Sequence, residues 1–305
     1  MTTSLATVTT AFLQRPGLAR TTLRSYESTL MPLLQEYGRS PIEILTRQTL
    51  QDYLNNLTTI SYTTHHRHQA IIQALFNFAV EQGYLKANPI AQLKRRKPDQ
   101  AKGEHRSDTV IRYLTPEQLV VLYRAVASDL RLNALVYLLH HTGARIAEIL
   151  ALDLQDLYLE QRKFQVLGKG NKQRWCFYSE AAAKALERYC RYQRHSSSAA
   201  LFTAQQPFTL EVSRLSYRMA HQDWTDLIAQ EATLKGIRIH DLRHTFATER
   251  VGLMGIEELR ALMGHQNIQT TLRYQKVTSQ RAETVAKKAF ESLTNPSFVT
   301  STRAN

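Results

Sequence analysis

The chain has 305 residues, 43% of them hydrophobic, and its 39 Lys and Arg against 26 Asp and Glu give a formal net charge of +13. That length predicts about two domains on a prior of roughly 100 to 200 residues each, and the positive excess calls for a polyanionic partner: DNA, RNA or an anionic membrane. No stretch approaches the roughly 18 consecutive apolar residues of a membrane span, the N-terminus lacks a signal-peptide pattern, and Cys176 and Cys190 alone make no disulfide framework, so a soluble protein of a reducing compartment is expected.

The first 90 or so residues read as helices with short polar breaks. Leu23, Tyr26, Leu30, Leu33, Leu34 and Tyr37 recur at helical spacing, as do Ile71, Leu75, Phe78 and Ala79, and these stripes predict one small helical core. Pro32 falls inside the first stripe and is expected to kink or interrupt it. A helix from Thr63 to Gly83 follows, its polar start including Thr64 and Arg67, and Asn88-Pro89 marks an extended exit. Residues 94–111 then read as a linker opening Lys94-Arg95-Arg96-Lys97-Pro98, either a solvated tether or, between two DNA-facing domains, a strand that tracks phosphates.

A second domain opens at Thr115-Pro116-Glu117-Gln118, where Thr caps, Pro suits the first helical position and Gln completes a capping box. Helices continue to about residue 150. Phe164 and Val166 then alternate with Lys163, Gln165 and Leu167, and a Gly-rich basic turn leads into Arg174-Trp175-Cys176-Phe177-Tyr178, which predicts a β-hairpin. The remainder returns to helices, with an apolar tail stripe at Val285, Ala289, Phe290 and Leu293 suited to packing on a neighbouring protomer or on its own domain.

Five separated pieces concentrate the chemistry: Thr142-Gly143-Ala144-Arg145-Ile146-Ala147-Glu148, Gly168-Lys169-Gly170-Asn171-Lys172, His240-Asp241-Leu242-Arg243-His244-Thr245, Leu262-Met263-Gly264-His265 and Thr270-Thr271-Leu272-Arg273-Tyr274. Breaking a phosphodiester through a covalent intermediate needs a nucleophile, cationic donors for the developing charge, and an acid for the departing oxygen. Guanidinium suits the second task because its planar fork is permanently charged. Alone, Arg145 reads as a surface residue paired with Glu148 one turn on, His240 as a helix-terminal imidazole, and Gly264 as a helix C-cap. Either Lys169 or Lys172 could reach a phosphate. Tyr274, with an ordinary pKa of about 10, would need activation by its surroundings.

In order and spacing the five pieces resemble the tyrosine recombinases of the phage-integrase family, with a simple Xer-like layout; the match is strong from Arg145 to Tyr274 and weaker from about residue 5 to the end. The resemblance implies a mainly α fold with a small β-sheet: a helical, SAM-like core-binding domain over residues 1–93, the basic linker 94–111, and an α-rich catalytic domain over 112–305 with an interaction tail, forming a C-shaped DNA clamp. There is no room between Lys169 and His240 for an integron-type extra helix, and no separate arm-site domain is expected before residue 5. By resemblance, Arg145 and Arg243 hold the scissile phosphate, Lys169 protonates the 5′ leaving oxygen, and His240 and His265 bond the phosphate or assist the proton on the tyrosine side. Glu148 would steady Arg145, and Tyr274 would form a 3′-phosphotyrosine. DNA contacts are expected from Lys94, Arg95, Arg96, Lys97, Thr64, Arg67 and Lys172. Bond energy kept in the phosphotyrosine implies no cofactor, ATP or metal. The partner implied is double-stranded DNA with a specific site, recombined by a homotetramer through a Holliday junction, in integration, excision or resolution, in a cytoplasmic, nucleoid-associated protein.

Two readings from other classes compete. His240 and His244 stand at the i, i+4 spacing of zinc hydrolases, but the motif's Glu is missing and Arg243 would intrude on the metal. A DNA-binding regulator that keeps the scaffold without cleaving is the other; the full set of catalytic-type residues argues against it. Type IB topoisomerases share related chemistry, but the short chain and motif spacing look more like a recombinase.

Overall fold

The computed structural model describes residues 2–104, 111–168, 173–206, 208–277, 286, 287 and 290. The chain separates into two compact units, residues 1–110 and 111–305. Among the described residues, no helix is long and apolar enough to cross a membrane.

The first unit is helical: α1 (Leu5–Leu13), α2 (Arg20–Tyr37), α3 (Arg47–Asn56) and α4 (Tyr62–Glu81). Ser4, Thr46 and Ser61 cap α1, α3 and α4 by accepting a backbone N–H of the first turn, the usual way such orphan donors are satisfied. Leu5, Val8, Phe12, Leu30, Leu33, Ile72, Leu75 and Phe76 meet in one fully buried core. Contrary to the expected interruption, α2 runs through Pro32. Pro32 is exposed while Leu30 and Leu33 on either side are buried, so the missing N–H falls on the solvent side and core packing holds the helix together.

Residues 94–104 belong to this unit and are fastened to the start of α4. Glu104 takes a bidentate bond from Arg96, both contacts at 2.8 Å, and also accepts the backbone N–H groups of Tyr62 and Asp99, each at 2.9 Å. The Arg96 carbonyl is bonded by His66 Nε2 at 3.2 Å.

The second unit begins with α5 (Pro116–Ala125), α6 (Leu130–Thr142) and α7 (Ile146–Ala151). The capping box at Thr115 and Gln118 is present on α5. A sheet of β1 (Leu157–Tyr158), β2 (Lys163–Leu167) and β3 (Gln173–Phe177) follows, antiparallel in the order β1-β2-β3 with Phe164 opposite Cys176 and Val166 opposite Arg174. Next come α8 (Glu180–Tyr192), β4 (Thr203–Gln205), β5 (Val212–Arg214), α9 (Tyr217–Gln230), α10 (Asp241–Arg250), α11 (Ile256–Met263) and α12 (Ile268–Leu272). The large core centres on Leu135, Leu138, Ile149, Phe164, Tyr189, Phe202 and Leu242. A smaller cluster of Phe246, Ala247, Val251, Leu259, Met263 and Tyr274 lies between α10, α11 and the chain after α12.

Candidate active site

Arg145 stands between α6 and α7. Gly143 closes α6 with φ +62°, the left-handed region that favours glycine, and a Cβ there would collide with the Phe246 ring of α10. The tight approach lets the buried Arg243 of α10 donate to the Gly143 carbonyl, while its second Nη donates to the Met263 carbonyl at 2.5 Å. One guanidinium thereby ties the loop before Arg145 to the end of α11, just before His265. His240 is the N-cap residue of α10 rather than a residue inside it.

Glu148 is the hub of the site. Its carboxylate accepts the Arg145 backbone N–H at 2.7 Å and the Arg145 guanidinium at 2.9 Å, and takes a bidentate pair from Arg174 at 2.8 and 2.6 Å. Burial works to raise its pKa, but the Arg174 hydrogen bonds, with those of Arg145, hold it at about 2. Arg174 Nε also donates to the Leu262 carbonyl at 3.0 Å. Gly264, at φ +63°, lies so close that a Cβ would come within 2.9 Å of Arg174 Cδ. Arg174 therefore links β3 to both α7 and the turn that carries His265.

The remaining groups face one another around Tyr274, which is only 3% exposed. Its hydroxyl is hydrogen-bonded to His244 Nδ1 at 2.8 Å. The His265 ring lies parallel to the Tyr274 ring with centroids 6.4 Å apart, and His265 Nδ1 is bonded to Thr271 Oγ1 at 2.9 Å. His240 and His244 meet edge to face at 4.9 Å. Burial first, and then the charges of Arg243, Arg145 and Arg174, bring the His265 pKa down to about 3. Burial, with Arg145 and Arg174 nearby, lowers Arg243 to about 10. Burial raises the Tyr274 phenol above its ordinary value, while Arg243, Arg273 and Arg145 pull it the other way. Cations and neutral imidazoles crowded in this way suit an anion. Beside them an open cleft of about 540 Å³ is lined by Arg145, Arg174, Arg260, His265, Asn267 and Thr270, among others.

The structure thus brings Arg145, Glu148, Arg243, His240, His265 and Tyr274 into one neighbourhood. Lys169 and Lys172 lie outside the described residues, as do Val285, Ala289 and Leu293 of the tail. Lys94, Arg95, Lys97 and Arg67 are exposed. Thr64 is half-buried and shares a hydrogen bond with Ser61 Oγ at 3.0 Å, and Arg96 is engaged by Glu104. Two contributors went unrecognised in the sequence: Arg174, the partner of Glu148, and His244, the partner of Tyr274. His244 was visible only as half of a zinc-like pair. Among the described residues no group of three or more His, Cys, Asp or Glu could hold a metal ion.

Residues 112–281 match the model of the phage integrase family. The chain is 26% identical over 276 residues to tyrosine recombinase XerC of Staphylococcus haemolyticus, covering 87% of this chain and 89% of the relative. It is 28% identical over 283 residues to tyrosine recombinase XerC of Corynebacterium glutamicum, covering 90% and 87%. In fold it resembles the Tn1549 transposon integrase in complex with transposon right end DNA, with a TM-score of 0.74, 19% identity and coverage of 92% of this chain and 98% of that one. A lambda integrase dimer bound to a COC′ core site gives a TM-score of 0.70 at 15% identity, covering 89% and 95%.

Proposed function

The chain belongs to the phage integrase family, and from that premise we propose that it is a tyrosine site-specific recombinase that cuts and rejoins duplex DNA through Tyr274. The observation that carries this reading is the joining, in one fold, of a tyrosine hydroxyl held by an imidazole with two guanidiniums, Arg243 bonded to the Met263 carbonyl and Arg145 linked through Glu148 and Arg174 to the adjacent Leu262 carbonyl. Arg145 and Arg243 hold the non-bridging oxygens of the scissile phosphate, where planar forks and permanent charge stabilise the developing negative charge. His240 and His265 hydrogen-bond the same phosphate. Burial first, and then the charges of the arginines, keep His265 neutral, and a phosphate beside it would favour the protonated, donating form. Lys169 protonates the 5′ oxygen as it leaves. Tyr274 remains joined to the 3′ phosphate, and the bond energy kept there lets a 5′ hydroxyl from a second duplex complete the exchange through a Holliday junction.

Four protomers assembled on two sites would carry out that exchange, with the tail beyond Tyr274 as a contact between them. The helical first unit adds grip on the duplex, with Arg67, Lys94, Arg95 and Lys97 exposed for phosphate contact. Such a protein works in the cytoplasm on nucleoid DNA.

The test is an SDS-resistant adduct on nicked suicide duplexes drawn from DNA flanking the gene. Wild type should give a 3′-linked adduct, and Tyr274→Phe none, with site binding kept within about a factor of a few because one hydroxyl, not a phosphate anchor, is lost. Equal loss of binding and cleavage would count against Tyr274 as nucleophile. Binding without any wild-type adduct would favour a non-cutting regulator.

A further inference from the structure

Resting on the reading of Tyr274 as nucleophile, we infer that His244 is the group that takes the proton from the Tyr274 hydroxyl as its oxygen attacks phosphorus. His244 lies within α10 and its Nδ1 is 2.8 Å from Tyr274 Oη, inside the reach required of a general base. His265 is placed differently: its ring stacks parallel to the tyrosine ring, and its Nδ1 is occupied by Thr271. His240 packs its ring against His244 and shares a turn with Arg243.

In the tautomer protonated at Nε2, His244 Nδ1 presents a lone pair to the phenol. On attack the Tyr274 Oη–P bond forms and the P–O5′ bond breaks. The phenolic proton passes to Nδ1, leaving His244 as an imidazolium, and the 5′ oxygen takes its proton from the acid assigned to Lys169. Rejoining runs in reverse: the 5′ hydroxyl gives its proton to that lysine as it bonds phosphorus, and His244 returns the other to the departing tyrosine oxygen. No oxidant or co-reactant is needed.

The groups that act on His244 are His240, Asp241, Arg238 and Arg243, together with Tyr274, and His265 lies close enough to feel its charge. Burial first, and then His240, hold the His244 pKa at about 4, so its lone pair is free at neutral pH. The imidazolium formed on proton transfer would be stabilised by the negative charge of the phosphate now joined to Tyr274.

The experiment uses the full-length protein in single-turnover cleavage of the nicked duplex, with wild type and Tyr274→Phe alongside. His244→Asn keeps a hydrogen-bond acceptor close to the Nδ1 position but cannot take a proton. It should bind the site within about a factor of a few and cleave about 10² to 10⁴-fold more slowly, without the acid limb of the wild-type pH profile. Replacing Tyr274 in that variant by a fluorinated tyrosine of lower pKa should restore much of the rate, because a more acidic phenol needs less help. Cleavage by His244→Asn at the wild-type rate, or a loss that the fluorinated tyrosine leaves unchanged, overturns the assignment while the wild-type adduct keeps the recombinase reading. Absence of an adduct in wild type brings down both.

Discussion

Arg174 and Glu148 are nearly solvent-free, with side chains 9% and 7% exposed, and between them they decide what Arg145 can do. Because Arg174 satisfies most of the carboxylate, Glu148 steadies Arg145 without consuming it. Removing one partner of a buried pair leaves the other uncompensated, at a cost of about 3 to 5 kcal/mol. Arg174→Ala should therefore lower stability on that scale in a denaturant titration and depress cleavage with it, whereas Arg174→Lys keeps the charge, loses the fork, and should fall between. A change under about 1 kcal/mol for the alanine variant would show that the pair is not structural. Neither this pair nor the bond between His244 and Tyr274 was legible in the sequence. The partners come from separate elements, Arg174 on β3 with Glu148 on α7, and His244 on α10 with Tyr274 beyond α12. No local spacing rule brings such positions together. Arg145 and Glu148 were legible as a pair because they are one turn apart.

At the scale of elements, the loop before Arg145 works because α6 and α10 approach more closely than an ordinary side chain allows. Gly143→Ala would place a methyl group in the Phe246 ring and force a left-handed conformation that costs about 1 to 2 kcal/mol, with about 1 to 3 more from overpacking. The melting temperature should drop accordingly. Cleavage should fall too, since the Gly143 carbonyl is what Arg243 grips; an unchanged melting temperature would mean that the helices separate freely. Elements with a strong local signal were readable: the Thr115 capping box, and the β2–β3 hairpin from its alternating Phe164 and Val166. The β4–β5 pair was not, because three residues per strand are too few to show a period. Pro32 does not end α2, because its effect depends on which side of the helix meets solvent, and that is set by the rest of the core.

For the molecule as a whole, the excess of positive charge predicts binding that weakens with salt, and residues 94–104 bear on how. They are fastened to α4 through Arg96 and Glu104, so the basic run begins from a held position, with Arg95 and neighbouring lysines outward. Arg95→Ala should weaken binding similarly across DNA sequences and flatten the salt slope by about 0.9 if the residue meets one phosphate. Arg96→Ala should instead loosen the first unit, seen as faster amide exchange around Tyr62. An unaltered salt slope in Arg95→Ala would remove that residue from the interface.

The grouping of Arg145, Arg174 and Arg243 around the single carboxylate of Glu148 has a consequence for folding as well as for catalysis. Burial first, and then mutual repulsion among these cations, push down the Arg243 pKa and hold His265 neutral. If a backbone phosphate binds among these cations, as proposed, it stabilises the folded form by mass action, as does anything that binds that form alone. On that reading the substrate would act as part of the protein's own interior, and the catalytic unit should melt at a higher temperature on its DNA site than alone.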